Sequence, residues 1–160
     1  MILRAIATAL VTLVVACNDD TGDDEGPAVE PAFPADYEAQ YTEVRPCMPS
    51  GDHDLNNVRI LVDDAAREPY QGRMLPFPVA SIVLKPEYDF GDTMCADPPT
   101  QWTVMTKLAD GSAPDNLDWA WQTVTADRVV EDVDEPRCIS CHTGCGVPPD
   151  GYGWTCAIPQ

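Results

Sequence analysis

Cys138-Ile139-Ser140-Cys141-His142 places two thiols three positions apart, with an imidazole directly after the second. C-x-x-C-H is the spacing of covalent c-type haem attachment. The thiols add across the two haem vinyl groups, and the imidazole reaches the iron from the proximal side. The same residues admit other chemistries. Together with Cys145 and Cys156 they could form a four-thiolate zinc or iron–sulfur site, and alone they could act as a thioredoxin-like dithiol or a plain disulfide. An oxidising compartment argues against free thiolates. A redox dithiol is expected at a helix start after a strand, whereas Pro136 and Arg137 precede this pair. The expected cofactor is therefore covalently attached haem c, with Cys138 and Cys141 as attachment points and His142 on the iron.

What stands opposite His142 decides the chemistry. Lys85 shares a strand face with Val83 and Ser81 by the period-2 rule, while Ile82 and Leu84 point the other way. A lysine there either snorkels to solvent or enters the haem pocket. Arg59 sits between Val58 and Ile60. It reads equally as a salt-bridged surface residue or as a guanidinium donating to an anion or nitrogen oxide near the sixth iron position. His53, flanked by Asp52 and Asp54, reads as a solvent-exposed residue of a polar turn whose aspartates favour the cation, which cannot ligate iron. Met105 reads as core, and Trp102, Trp119 and Trp121 as core or haem wall.

The chain must first reach an oxidising compartment. Arg4 is followed by an apolar run from Ala5 to Ala16, too short for a permanent membrane span. It ends in Val14-Val15-Ala16-Cys17, which resembles the lipobox of bacterial lipoprotein signal peptides. Residues 1–16 are thus expected to be removed and Cys17 lipidated, anchoring the protein in the cell envelope. Residues 17–35, rich in Asp, Glu, Gly and Pro, read as an acidic disordered tether holding the domain roughly 20–25 Å from the membrane. Residues 36–160 then form one domain with one core. Of seven cysteines in the chain, Cys17, Cys138 and Cys141 are already assigned. Cys47, Cys95, Cys145 and Cys156 remain, an even number that allows three pairings, of which Cys145–Cys156 with Cys47–Cys95 is the expected one. The formal charge of −18 repels phosphate backbones and makes nucleic acid an unsuitable partner. A cationic redox protein or a small neutral or cationic substrate suits it better, and the same charge also serves plain solubility.

The elements that would position these residues are short. Ala35 to Val44 has helical spacing and is expected to end at Pro46. Strands are expected at Val58–Val62, Ala80–Leu84, Trp102–Leu108 and Asp118–Val124, with a fifth at Val129–Val133. A helical turn at Asp63–Glu68 is expected to stop at Pro69. With 16 prolines, mostly at the joints between these runs, the fold class is mainly β: an antiparallel sheet with short flanking helices and a C-terminal haem-attachment segment.

The β-rich body and C-terminal C-x-x-C-H together resemble the cytochrome P-460 family, c-type haem proteins of mainly antiparallel β-structure related to the β-type cytochromes c-prime. The resemblance runs from about Asn56 to Ile158. It rests on Asn56–Val62, Pro76-Phe77-Pro78 with Ser81–Lys85, Trp102–Lys107, Asp118–Trp121 and Gly151–Thr155, in that order. It implies that His142 is the proximal ligand, that Lys85 matches a lysine bonded to the porphyrin edge in hydroxylamine-oxidising members, and that Arg59 matches a distal arginine. It also suggests a homodimer. Val79-Ala80 stand where the family usually has a glycine, Pro86 follows Lys85 directly, and four cysteines are additional to the family pattern. The implied activity is redox chemistry on hydroxylamine- or nitric-oxide-type species with electrons passed to an external acceptor. The alternative is a non-catalytic electron carrier or gas binder.

Overall fold

Six antiparallel strands lie side by side in chain order, each hydrogen-bonded to the next. The computed structural model describes residues 28–160, so the expected signal segment, Cys17 and most of the expected acidic tether lie outside the described residues. The strands are β1 (Thr42–Pro49), β2 (Asn57–Val62), β3 (Ile82–Tyr88), β4 (Gln101–Lys107), β5 (Trp119–Thr125) and β6 (Val130–Val133). Helix α1 (Tyr37–Gln40) precedes the sheet, α2 (Asp64–Gly72) links β2 to β3, a 3₁₀ turn (Pro114–Asn116) precedes β5, and α3 (Pro136–Thr143) follows β6. The mainly β class stands. Among the described residues no helix is long and apolar enough to cross a membrane.

Alternation along the strands divides the core between the two sheet faces. One face carries Val44, Ile60, Val62, Val83, Met105, Trp119 and Trp121, covered by Ala66 and Tyr70 of α2 and by Cys138 and Ile139 of α3. The other carries Leu61, Leu84, Trp102, Val104 and Val124, covered by Phe33 and Tyr37. Every strand from β2 to β5 is therefore buried on both sides.

Several expected boundaries are corrected. The helix expected over 35–44 is only the single turn α1, and Thr42–Pro49 instead forms the edge strand β1. Pro46 sits there between register shifts at Arg45 and Met48, an edge position where a missing N–H is tolerated. Helix α2 runs through Pro69 to Gly72 rather than stopping. Asp63 caps it by accepting from the Ala66 N–H at 2.8 Å, and the buried Tyr70 hydroxyl donates to the Ala157 carbonyl at 2.9 Å. Strand β3 likewise continues through Pro86 to Tyr88. Lys85 and Pro86 pair with Thr103 and Trp102 of β4, while the pairing to β2 passes from Val58↔Glu87 to Leu61↔Leu84. The proline thus falls where the ladder to β2 is interrupted and only the β4 side is paired. The tether boundary at 35 also moves toward the N-terminus: Phe33 is buried, the Ala32 N–H donates to Gln122 Oε1 at 2.8 Å, and Arg128 donates to the Phe33 carbonyl at 2.7 Å.

Candidate functional site

The C-x-x-C-H segment forms helix α3, with Pro136 at its first turn and Glu135 accepting from the Arg137 N–H at 3.3 Å. The i, i+3 spacing sets both thiols on neighbouring turns of one side. Cys138 is half-buried against the sheet and Cys141 is exposed, and both are free. Cys145 and Cys156 are bonded to each other, as are Cys47 and Cys95. Both expected pairings are present, and the first withdraws two of the four thiolates that a zinc or iron–sulfur site would need. The argument against a redox dithiol needs correction, because α3 does start directly after strand β6. Burial, and then the charge of Glu135, raise the Cys138 thiol above its ordinary pKa against the lowering pull of Lys85, which does not favour it as a dithiol nucleophile.

His142 is held from the far side by the C-terminal loop. Its Nδ1 hydrogen-bonds the Trp154 carbonyl, and its ring meets Trp121 edge-on at 4.8 Å between centroids. That bond assigns the proton to Nδ1 and leaves Nε2 as the lone-pair nitrogen, the arrangement of a metal-binding histidine. Burial pushes the imidazole down to about 4, with the Lys85 charge adding to the effect, so the ring is neutral at ordinary pH. The donor set of two free thiols and one oriented, neutral imidazole fits haem c. The loop behind it, which carries that carbonyl, is tied down at several points. Cys145–Cys156 closes it, Tyr152 N–H donates to the Cys145 carbonyl at 2.9 Å, and Trp154 N–H donates to Gly146 at 3.0 Å. A Cβ on Gly151 would collide with the backbone of Cys145 and Gly146, so only glycine fits there. At the C-terminal cap of α2, Arg73 donates to Thr155 Oγ1 at 2.6 Å and to the Ala157 carbonyl.

Lys85 lies on the same sheet face, close enough for its charge to act on both His142 and Cys138. Its Nζ is 2.6 Å from His53 Nε2, and His53 Nδ1 is 2.8 Å from Glu87 Oε1. Glu87 is only 1% exposed. It also accepts from Gln101 Nε2 at 2.8 Å, Thr103 Oγ1 at 3.2 Å and Asn56 Nδ2 at 3.4 Å. Burial alone would raise this carboxyl. The hydrogen bonds from His53 and Gln101 and the Lys85 charge outweigh it and hold Glu87 below the usual carboxylate range. Burial also pushes the Lys85 amine down to about 8, against the raising pull of Glu87, Cys138 and Asp52.

Two sequence readings change here. His53 is not a solvated turn residue: its side chain is 18% exposed and its partners are Glu87 and Lys85, not the flanking aspartates. The bond to Lys85 also engages the nitrogen with which His53 would reach an iron. Arg59 is not near this site. By strand parity it shares the face of Leu61, opposite Lys85, where it pairs with Glu43 at 2.6 Å and Glu38 at 2.9 Å and donates to the Tyr88 hydroxyl at 3.2 Å. The salt-bridge alternative describes it, and the distal role does not. Glu87, Gln101 and Thr103 were missed because they lie on the β3 extension beyond Pro86 and on its β4 partner. An acid two residues beyond Lys85, on the same face of an uninterrupted strand, was the available signal. Cys17 lies outside the described residues. No family model matches this chain, and no curated protein matches it.

Proposed function

We propose that this chain is a c-type haem protein whose iron, ligated by His142, carries out redox chemistry on a small nitrogen or oxygen species and passes electrons to an external acceptor. The supporting observation is the pairing of a Trp154-oriented, neutral His142 and two free thiols with a lysine–histidine–glutamate chain on the facing sheet surface. An electron carrier needs only the first half of that arrangement. Ionisable groups two hydrogen bonds deep beside the haem motif are what a reacting site needs. Cys138 and Cys141 would hold the haem covalently, and Trp154 fixes the imidazole by taking its Nδ1 proton in a hydrogen bond. Haem supplies an iron that changes oxidation state and accepts small ligands. Hydroxylamine- or nitric-oxide-type substrates, a lipid anchor at Cys17 in the bacterial cell envelope, a cationic redox partner and a homodimer complete the proposal, on the resemblance to cytochrome P-460 and on the net charge.

The experiment is co-expression with a c-type haem maturation system, followed by an absorption spectrum of the reduced protein with and without carbon monoxide and by turnover with hydroxylamine. The expected result is haem retained through denaturation on the Cys138–His142 peptide, a spectrum shifted by carbon monoxide, and turnover. Cys138→Ala with Cys141→Ala should abolish the covalent attachment. A six-coordinate spectrum indifferent to carbon monoxide would identify a carrier, and binding without turnover a gas binder. Either overturns the enzymatic reading, and absence of covalent haem overturns the whole proposal.

A further inference from the structure

Two lysines occur in the whole chain, Lys85 and Lys107, and their surroundings differ in kind. Lys107 pairs with the exposed Asp110 at 3.5 Å and lies over the Trp119 ring. Lys85 faces an imidazole nitrogen, and a buried carboxylate stands behind that imidazole. Glu87 only accepts, so His53 donates its Nδ1–H to it and leaves the Nε2 lone pair facing the lysine. The carboxylate is fixed in turn by Gln101, Thr103 and Asn56, so the relay keeps its direction. Nothing in packing requires this. Three ionisable side chains in series at a half-buried place are costly unless they act together.

We propose that Glu87 and His53 make Lys85 an imine-forming lysine, a covalent attachment site for small carbonyl compounds. The choice of carbonyls follows from the order of proton transfers. His53 Nε2 takes a proton from the Lys85 ammonium, and the freed amine attacks the carbonyl carbon. A C–N bond forms, the C=O π pair moves to oxygen, and that oxygen takes a proton from the attacking nitrogen. The carbinolamine then loses its hydroxyl as water, with the proton supplied by the His53 imidazolium that Glu87 stabilises. Nitrogen closes a C=N bond and stays protonated. In sum, ammonium and aldehyde give protonated imine and water, with no change of oxidation state. A base that returns as an acid at the same atom suits this sequence, because an amine must first be freed and a hydroxyl must later be expelled. The site does not depend on haem, and Glu87 and His53 act through Lys85 as positioning residues.

The test treats the purified full chain with formaldehyde and cyanoborohydride at about pH 7.5 and reads methylation at Lys85 and Lys107 by peptide mass spectrometry, with the denatured chain as the intrinsic reference. Lys85 is expected to react at least about tenfold faster than Lys107 in the native protein and equally when denatured, because a freed amine is the reactive form. His53→Gln and Glu87→Gln should each return the ratio toward one. His53 lies in a turn, so its variant carries the test if Glu87→Gln fails to fold. Equal native rates, an unchanged ratio in a folded His53→Gln, or a Lys85 already bonded to another group each overturn the proposal. Haem content, read by absorbance on the same samples, reports the fate of the haem reading separately.

Discussion

Glu87 shows how much one side chain can organise. It collects four hydrogen bonds in a place that excludes water, and the charge-assisted ones are the strong kind. Glu87→Gln would set a second donor against Gln101 and Asn56, and the expected cost is about 1–3 kcal/mol in urea unfolding at neutral pH. The pH dependence has a definite sign. The folded carboxyl titrates below the unfolded one, ordinarily about 4.3, so the unfolded chain binds more protons between the two values. The stabilisation is complete above that unfolded value and is lost as pH falls through the folded one. Wild type should therefore lose its advantage over Glu87→Gln as unfolding is measured from pH about 6 down to about 3. A gap between the two that stays constant with pH would exclude an ionised Glu87. Only the acid itself, two residues beyond Lys85, was legible locally; Pro86 reads as a strand end, and the partners of Glu87 come from other strands.

At the scale of elements, prolines mislead whenever tertiary contacts outweigh their local cost. The lost N–H and ring clash at Pro69 are worth about 3 kcal/mol against a helix. Helix α2 persists because its cap, the buried Tyr70 and the Arg73 bonds to the C-terminal loop act on the same few turns. Asp63→Ala should lower stability by about 1 kcal/mol in thermal unfolding, since it removes the side-chain acceptor for Ala66 N–H. The C-terminal loop has no helix or strand of its own and relies on its bridge. Replacing Cys145 and Cys156 together by serine should cost about 3 kcal/mol, and amide exchange at Trp154 should speed up more than in β4. The bridge belongs to the expected one of the three pairings that four leftover cysteines allow. What it holds in place, the carbonyl facing His142, was not readable in the sequence.

The whole molecule is a sheet with two unlike faces. One is closed by the N-terminal segment around Phe33 and Tyr37, and the other by α2, α3 and the loop around Trp154. The face assignment carries its own prediction. Arg59 and its partners are 24% exposed for the arginine side chain and more for the acids, and such pairs contribute about 0–1 kcal/mol. Arg59→Ala should therefore shift stability by no more than that and leave the ligand-binding spectrum of the haem-loaded protein unchanged, whereas a distal arginine would alter it. Composition and periodicity were enough to indicate the β class and most strand positions, and spacing alone singled out the C-x-x-C-H motif, because each is encoded within a few neighbouring residues. Tertiary structure alone decided that β3 passes through Pro86, that Arg59 belongs to the far face, and that His53 and Glu87 stand behind Lys85. Those depend on strand register, and a side chain's neighbours across a sheet are set by pairing between segments far apart in the chain.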